Sequence, residues 1–187
     1  MRVIRGILKS RRFSIPKSFP SRPTTDFAKE GLFNILENQI DMVDLDILDL
    51  CAGTGNITFE FLSREAGSVT AIDKNYNSVR FISKTAKDFG VEKPLQALKM
   101  DVIAFLQKTD KKFDLIFADP PYAAKFHKQI VDLVFERNLL KPDGLLVIEH
   151  GKDISFEDYP SLIKFKNYGG VCFSFLENDN KKTIKYL

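Results

Sequence analysis

Four consecutive residues, Asp119-Pro120-Pro121-Tyr122, combine a carboxylate, two stiff residues and an aromatic face. They follow Phe113–Ala118, an apolar run that reads as a buried strand. Neither proline has an N–H to give to a sheet ladder, so the strand must end and the chain must turn. In an open α/β sheet, the carboxyl ends of the strands are where ligands bind. A planar group carrying an N–H₂ could stack there on the Tyr122 ring. It would donate to the Asp119 carboxylate and to the Pro120 carbonyl. Asp119, Pro120, Pro121 and Tyr122 are therefore the candidate catalytic residues. Taken alone, the same four residues could also form a plain surface turn.

Earlier features weigh against the plain turn. Asp49-Leu50-Cys51-Ala52-Gly53-Thr54-Gly55-Asn56 lies between an expected strand and an expected helix. Gly53 and Gly55 allow the backbone to approach a ligand without an intervening Cβ. The loop opens onto a helix N-terminus, whose free N–H groups suit an anionic group. No Gly-Lys-Ser/Thr follows, which excludes a Walker phosphate loop, and Thr58 stands where a dinucleotide fingerprint needs its third glycine. Asp73, 18 residues after Gly55, ends the next strand and can accept both ribose hydroxyls of a nucleoside. Each of Asp49, Asp73 and Asp119 alone reads as an exposed strand-end acid, and Asp101 alone as a helix N-cap. Four successive strands ending in Asp49, Asp73, Asp101 and Asp119 place four carboxylates along one sheet edge.

The elements that must hold these residues alternate strand and helix. Strands are expected at Asp46–Leu50, Val69–Asp73, Leu95–Met100, Phe113–Ala118 and Gly144–His150. Helices are expected at Asn56–Arg64, Tyr76–Phe89, Val102–Lys108 and Ala124–Asn138. That alternation implies an α/β fold, a mostly parallel sheet with helices on both faces. After Gly151, Ser161–Tyr168 and Val171–Glu177 read as an antiparallel pair at the sheet edge, joined by Gly169-Gly170. Lys182–Leu187 is either a short strand or a fraying end. Before the sheet, residues 2–8 alternate loosely and suggest a strand, followed by a proline-rich loop or hairpin. A helix begins near Thr24-Thr25-Asp26 and runs to about Gln39, with Ala28, Leu32, Ile35 and Leu36 on its apolar face.

A chain of 187 residues with 44% hydrophobic and 28% charged side chains reads as one globular domain with a small appendage. No run approaches the 18 or more apolar residues of a membrane span, and no apolar segment follows the basic N-terminus as in a secretory signal. Two cysteines and two histidines provide no disulfide framework or zinc site, so no metal and a cytoplasmic location are expected. Residues 1–25 hold Arg2, Arg5, Lys9, Arg11, Arg12, Lys17 and Arg22 and no acid. The rest of the chain carries 21 of the 28 basic residues against all 25 acids. The whole positive excess is thus in the arm. A basic arm before a mildly acidic domain points to a polyanion, with nucleic-acid phosphates favoured over acidic lipid. A solvated tail is the plain alternative.

On these motifs the chain resembles the Rossmann-like S-adenosylmethionine-dependent methyltransferases. More closely, it resembles the bacterial RsmD family, which methylates guanine N2 in 16S ribosomal RNA. The closer likeness rests on Arg22-Pro23-Thr24-Thr25-Asp26, Glu30, Leu32-Phe33-Asn34, Asp49 with Gly53-Thr54-Gly55, Asp119-Pro120-Pro121-Tyr122 and the short basic arm. Cys51 and Asn56 fall at variable loop positions, and the tail after Glu177 is longer than the pattern needs. The resemblance implies a basic arm at residues 1–23 and a methyltransferase domain at 24–187. It implies S-adenosylmethionine as cofactor and S-adenosylhomocysteine as product. The cofactor would be held by Thr24, Thr25, Asp49, Cys51, Gly53, Gly55, Asp73 and Asp101. In that pattern Gly53 and Gly55 pass under the methionine part, and Asp49 lies near its amino group. Asp73 takes the ribose hydroxyls and Asp101 the adenine amine. Arg2, Arg5, Lys9, Arg11, Arg12 and Arg22 would contact 16S rRNA, free or in the small ribosomal subunit or its assembly intermediate. A monomer is expected.

Guanine's exocyclic amine is a poor nucleophile because its lone pair is delocalised into the ring. Two acceptors, Asp119 and the Pro120 carbonyl, favour a pyramidal nitrogen, and Tyr122 would stack on a base that is unpaired or flipped. Other amine targets remain open to the same chemistry: adenine N6 or cytosine N4 in DNA, or glutamine in protein. So does a nucleoside-binding protein without activity. Cys51 as a covalent nucleophile is disfavoured, because a small packed side chain suits its place in the loop. Glu149-His150, ending the fifth strand, reads as a polar strand end with possible substrate contact as the alternative.

Overall fold

Short β-rich runs bounded by polar residues become the strands, and the central strands of the sheet they form are buried on both faces. The computed structural model describes residues 1–14 and 25–178. Arg22, Thr24 and the suggested strand at Lys182–Leu187 lie outside the described residues. The order is α1 (Asp26–Glu37), β1 (Asp46–Leu50), α2 (Thr58–Ser63), β2 (Ser68–Asp73), α3 (Tyr76–Phe89) and β3 (Leu95–Lys99). Then follow α4 (Val102–Lys108), β4 (Phe113–Ala118), α5 (His127–Glu136), β5 (Leu140–His150), β6 (Leu162–Tyr168) and β7 (Val171–Glu177).

The strands form one sheet in the order β3-β2-β1-β4-β5-β7-β6. β1 to β5 are parallel, and β7 is antiparallel to both β5 and β6. Successive side chains of a strand point to opposite faces. In β1, Ile47 therefore joins the core under α1, α2 and α3, while Leu48 and Leu50 join the core under α4 and α5. Residues with full burial on both faces are the mark of a covered parallel sheet. No helix among the described residues is long and apolar enough to cross a membrane.

Local chemistry sets several boundaries. Asn75 caps α3 by accepting from the Asn77 N–H, and Gly90 closes that helix in the left-handed region at φ 70°. Three expectations need correction. Regular helix begins at Thr58 rather than Asn56, after turns through the glycine loop. α5 begins at His127 rather than Ala124, because the Ala124 N–H bonds to the Pro121 carbonyl at 2.7 Å and closes a turn there. β5 begins at Leu140, earlier than Gly144, with Asp143 bending the strand at φ 63°.

The arm differs most. Residues 2–8 are not a strand; a single antiparallel bridge joins Arg2 to Arg12. Val3, Leu8 and Phe13 are buried in the same core as α1 and α2. Gly6 makes this possible. Its φ is +82°, and a Cβ there would lie 1.8 Å from the Ser63 carbonyl oxygen. The Ile7 N–H donates to that same carbonyl at 2.8 Å, and the Leu8 N–H donates to Ser63 Oγ at 2.9 Å.

A buried ionic network fastens the arm and α1 to α2. Lys29 is fully buried in α1, on the face expected to be wholly apolar, while Ile35 is only half-buried. Its Nζ donates to the Arg2 carbonyl at 2.7 Å and to Asn56 Oδ1 at 2.9 Å, and pairs with Glu60 Oε1 at 2.8 Å. The other Glu60 oxygen takes Arg64 at 2.6 Å, and Arg64 reaches Glu37 at 2.7 Å. A buried charge is tolerated only when its partners are complete. Gly6→Ala combines a forbidden backbone region with a clash against the backbone of α2. It is expected to cost more than about 2 kcal/mol of unfolding free energy, measured by urea denaturation.

Candidate active site

The carboxyl ends of β1, β2, β4 and β5 converge on one edge. Asp49 is second to last in β1, Asp73 is last in β2, and Asp119 follows β4 directly. Asp49 shares a face with Phe117 through the β1–β4 register, and both Ile47 and Phe117 face the α1–α3 core. Asp119, two residues beyond Phe117, returns to that face. Its N–H donates to the Leu50 carbonyl at 3.1 Å, which ties the turn back onto β1.

The glycine loop bends across this edge. Cys51 adopts φ 61° and Gly53 φ 54°, and Gly55 follows at φ 76°. The Ala52 N–H bonds to the Ile72 carbonyl at 3.0 Å, and the Gly55 N–H to the Ala52 carbonyl at 2.7 Å. A Cβ on Gly55 would meet Ile82 and Phe59 at 2.9 Å, so the core side of the loop has no room for a side chain. Asp73 accepts the Gly53 N–H at 2.8 Å on one oxygen and the Asn75 N–H at 2.7 Å on the other. Asp101 lies two residues beyond β3 and caps α4, accepting the Ala104 N–H at 3.0 Å. Thr25 caps α1 by accepting the Ala28 N–H at 3.2 Å.

Burial governs the electrostatics. Asp49 is 1% exposed, and desolvation raises its pKa to about 7 against the pull of a hydrogen bond from the Thr58 hydroxyl. Desolvation also raises Asp73, opposed by the two backbone N–H groups it accepts. Asp119 is raised well above its ordinary value, first by burial and then by repulsion from Glu149 and Asp49. The Cys51 thiol is pushed up by burial and by the three neighbouring aspartates, which makes it inert as a nucleophile. Tyr122 keeps its ring half exposed, at 47%, while its hydroxyl donates to Glu149 Oε1 at 3.3 Å.

Sequence reasoning missed two groups here, Lys29 and His127. Lys29, through Asn56, anchors the far end of the glycine loop, and no local pattern announces a contact 27 residues away. His127 is buried beneath the Asp-Pro-Pro-Tyr turn and donates through Nδ1 to the Ala124 carbonyl at 2.9 Å. Burial lowers its pKa, although the Ala124 and Pro120 carbonyls favour the charged form. For Glu149 the sequence leaves substrate contact as the alternative to a polar strand end. His150 fits that plain reading: it is buried, with ring nitrogens 2.8 Å from the Gly151 carbonyl and from Ser174 Oγ.

These acids, backbone turns and glycines suit a ligand rich in cationic and N–H or O–H groups. The family model described as Conserved hypothetical protein 95 matches residues 1–177. The Ribosomal RNA small subunit methyltransferase D of Haemophilus influenzae is 31% identical over 184 residues, covering 95% of this chain and 94% of that protein. The chain belongs to the RsmD family of methyltransferases.

Solved structures agree on the architecture. The yhhF structure from Escherichia coli has a TM-score of 0.83 at 25% identity, covering 95% of this chain and 97% of that one. The fold also matches the Thermus thermophilus 16S rRNA N2 G1207 methyltransferase RsmC, solved with AdoMet and guanosine. The TM-score there is 0.68 at 20% identity, over 86% of this chain and 45% of that one. The fold is thus the Rossmann-like methyltransferase fold, and the cofactor of this RsmD-family chain is S-adenosylmethionine.

The raised Asp49 sets a pH dependence. An unfolded aspartate ionises near 3.8, whereas the native one holds its proton to about 7. Between those values the native state binds more protons, so its stability falls as pH rises. Asp49→Asn removes that slope. Urea unfolding at pH 5 and pH 8 is expected to show the variant gaining on wild type, at roughly 1.4 kcal/mol per pH unit within the window.

Proposed function

We propose that the protein transfers a methyl group to the exocyclic N2 amine of a guanine in the 16S rRNA of the small ribosomal subunit. The observation that carries this reading is the turn after β4. It sets the Asp119 carboxylate and a half-exposed Tyr122 ring at the mouth of the sheet in a chain of the RsmD family. The name of the H. influenzae relative supports ribosomal RNA as the substrate.

The cofactor supplies an electrophilic methyl on a sulfonium, which is a good leaving group without further activation. The residues of this chain then have mainly to position and polarise. Asp119 accepts one N–H of the amine and the Pro120 carbonyl accepts the other. The nitrogen lone pair is thereby turned out of conjugation and toward the methyl. Pro121 stiffens the turn, and Tyr122 stacks on a base that has left its helix. The proton leaves after transfer, so Asp119 need not be a strong base in the step itself.

On the cofactor side, Asp73 retains lone pairs on both oxygens for the ribose hydroxyls. Asp49 faces the amino group and Asp101 the adenine amine. The backbone of Cys51, Gly53 and Gly55 would hold the methionine portion, with Thr24 and Thr25 as further proposed cofactor contacts.

Residues 1–23 serve as the RNA-contacting arm and residues 24–187 as the methyltransferase domain. Within the arm the charges are unequal. Arg2 is paired with Asp26 at 3.0 Å and Glu30 at 3.1 Å, and Arg5 with Glu37 at 2.5 Å. Phosphate must compete with those acids. Arg11 rests its guanidinium over Phe89 at 5.8 Å, and Lys9 and Arg12 are exposed. Among the described residues, Lys9, Arg11 and Arg12 are the stronger RNA contacts in this reading, with Arg22 a further proposed contact.

Two experiments test it. Methyl transfer to small ribosomal subunits from a strain lacking the enzyme is expected to yield N2-methylguanine in 16S rRNA, read by mass spectrometry. Label entering DNA or a release factor instead overturns the proposal. Asp119→Ala is expected to lower kcat/KM at least about 100-fold while folding and S-adenosylhomocysteine binding persist. For the arm, neutralising Arg11 and Arg12 together is expected to flatten the dependence of log K on log salt by about 1–2 units. An unchanged slope would make the arm a passive tail.

A further inference from the structure

The turn after β4 accounts for the chemistry of an amine but not for the choice of base. That choice needs a group reading the atom beside the amine. The last parallel pair between β4 and β5 is Ala118 with Ile148. One residue further on each strand come Asp119 and Glu149, side by side and on the same face of the sheet. Glu149 is 3% exposed, and its charge is among the causes that raise Asp119, so the two carboxylates share one small volume. The Tyr122 hydroxyl donates to Glu149 at 3.3 Å. The carboxylate is thus fixed at the edge of the ring on which a base would stack.

Among the described residues, the turn after β4 offers few free donors. Pro120 and Pro121 have no N–H. The Asp119 N–H is used on the Leu50 carbonyl, and the Tyr122 hydroxyl is directed at Glu149. Besides the Pro120 carbonyl, what the two strand ends present to a ligand is the pair of acids Asp119 and Glu149. Guanine offers a matching edge, with two N2–H donors followed by N1–H. Adenine and cytosine place a bare ring lone pair beside their amine, and that lone pair would face a carboxylate. An acceptor set against an acceptor gains no hydrogen bond and is repelled, which is a basis for rejecting a near-isostere.

We propose that Glu149 is a specificity-determining residue that accepts the N1–H of the target guanine and so excludes adenine and cytosine. The inference rests on the guanine-N2 reading above. It assigns Glu149 no part in moving the methyl or the proton.

The test uses small ribosomal subunits rebuilt with guanine or 2-aminopurine at the nucleotide that mass spectrometry identifies as methylated. 2-Aminopurine keeps the 2-amine but has a bare lone pair at N1. Wild type is expected to prefer guanine by about 100-fold in kcat/KM. Glu149→Gln can turn an amide N–H toward N1. It is expected to narrow the preference to below about tenfold, with the Kd for S-adenosylhomocysteine unchanged. Glu149→Asp retracts the acceptor by one methylene and is expected to fall between the two. It decides the matter if the glutamine variant does not fold. A wild type that ignores the change of base overturns the inference, as does a preference unaltered in both variants. Either result leaves methylation of guanine standing. Absence of methylated guanine with wild type removes the underlying reading itself.

Discussion

One buried ammonium holds the working parts of this molecule in register. Lys29 reaches from α1 to the Arg2 carbonyl, to Asn56 at the end of the glycine loop and to Glu60 in α2. No water is needed to satisfy it, and no single partner could do so alone. The six residues of α2 are buried on every side, so the charge of Glu60 has no route to solvent and must be met by Lys29 and Arg64. The arm, the first helix and the loop that crosses the sheet edge are thereby fixed relative to one another before any ligand arrives. Pre-positioning of this kind matters for a reaction whose acceleration comes from orientation rather than from covalent chemistry.

The two ends of β1 show how the sheet divides its labour. Asp46, at the start, is bound by Lys141 at 2.7 Å and Lys111 at 3.2 Å, with Ser68 also donating, and its pKa is driven down. Asp49, three residues on, has the hydroxyl and backbone N–H of Thr58 against burial and a nearby Asp73, and its pKa is driven up. The same residue type in the same strand is a structural ion at one end and a destabilised one at the other. Asp119 and Glu149 extend the second condition across the edge. Buried acids gathered close together are costly in the folded chain, and they favour a ligand that brings cationic or donor groups to them.

Much of this was legible because it is local. Asp46–Leu50, Tyr76–Phe89, Val102–Lys108, Phe113–Ala118 and Val171–Glu177 fall where periodicity, caps and prolines put them. The strand-end acids follow from the strands. What escaped depends on contacts distant in sequence. The alternation of residues 2–8 suggests a strand. Val3, Leu8 and Phe13 of the arm instead enter the core because Gly6 can turn with a positive φ against Ser63. Lys29 sits in an apolar stripe, and only the fold supplies Glu60. Glu149 gains its meaning from being beside Asp119, and the β4–β5 register that makes them neighbours is written nowhere in either segment alone.

The last two strands carry a consequence for how the chain is made. β7 lies between β5 and β6, so β6 leaves the ribosome before the one described strand it pairs with. Through that interval its hydrogen-bonding groups have no ladder to join, and its outward Ile163 and Phe165 stay uncovered. The sheet can be completed only once Glu177 has been synthesised. Nascent chains halted before that point would carry two unfilled strand edges, on β5 and on β6, and an open edge is the feature most prone to pairing with a neighbour.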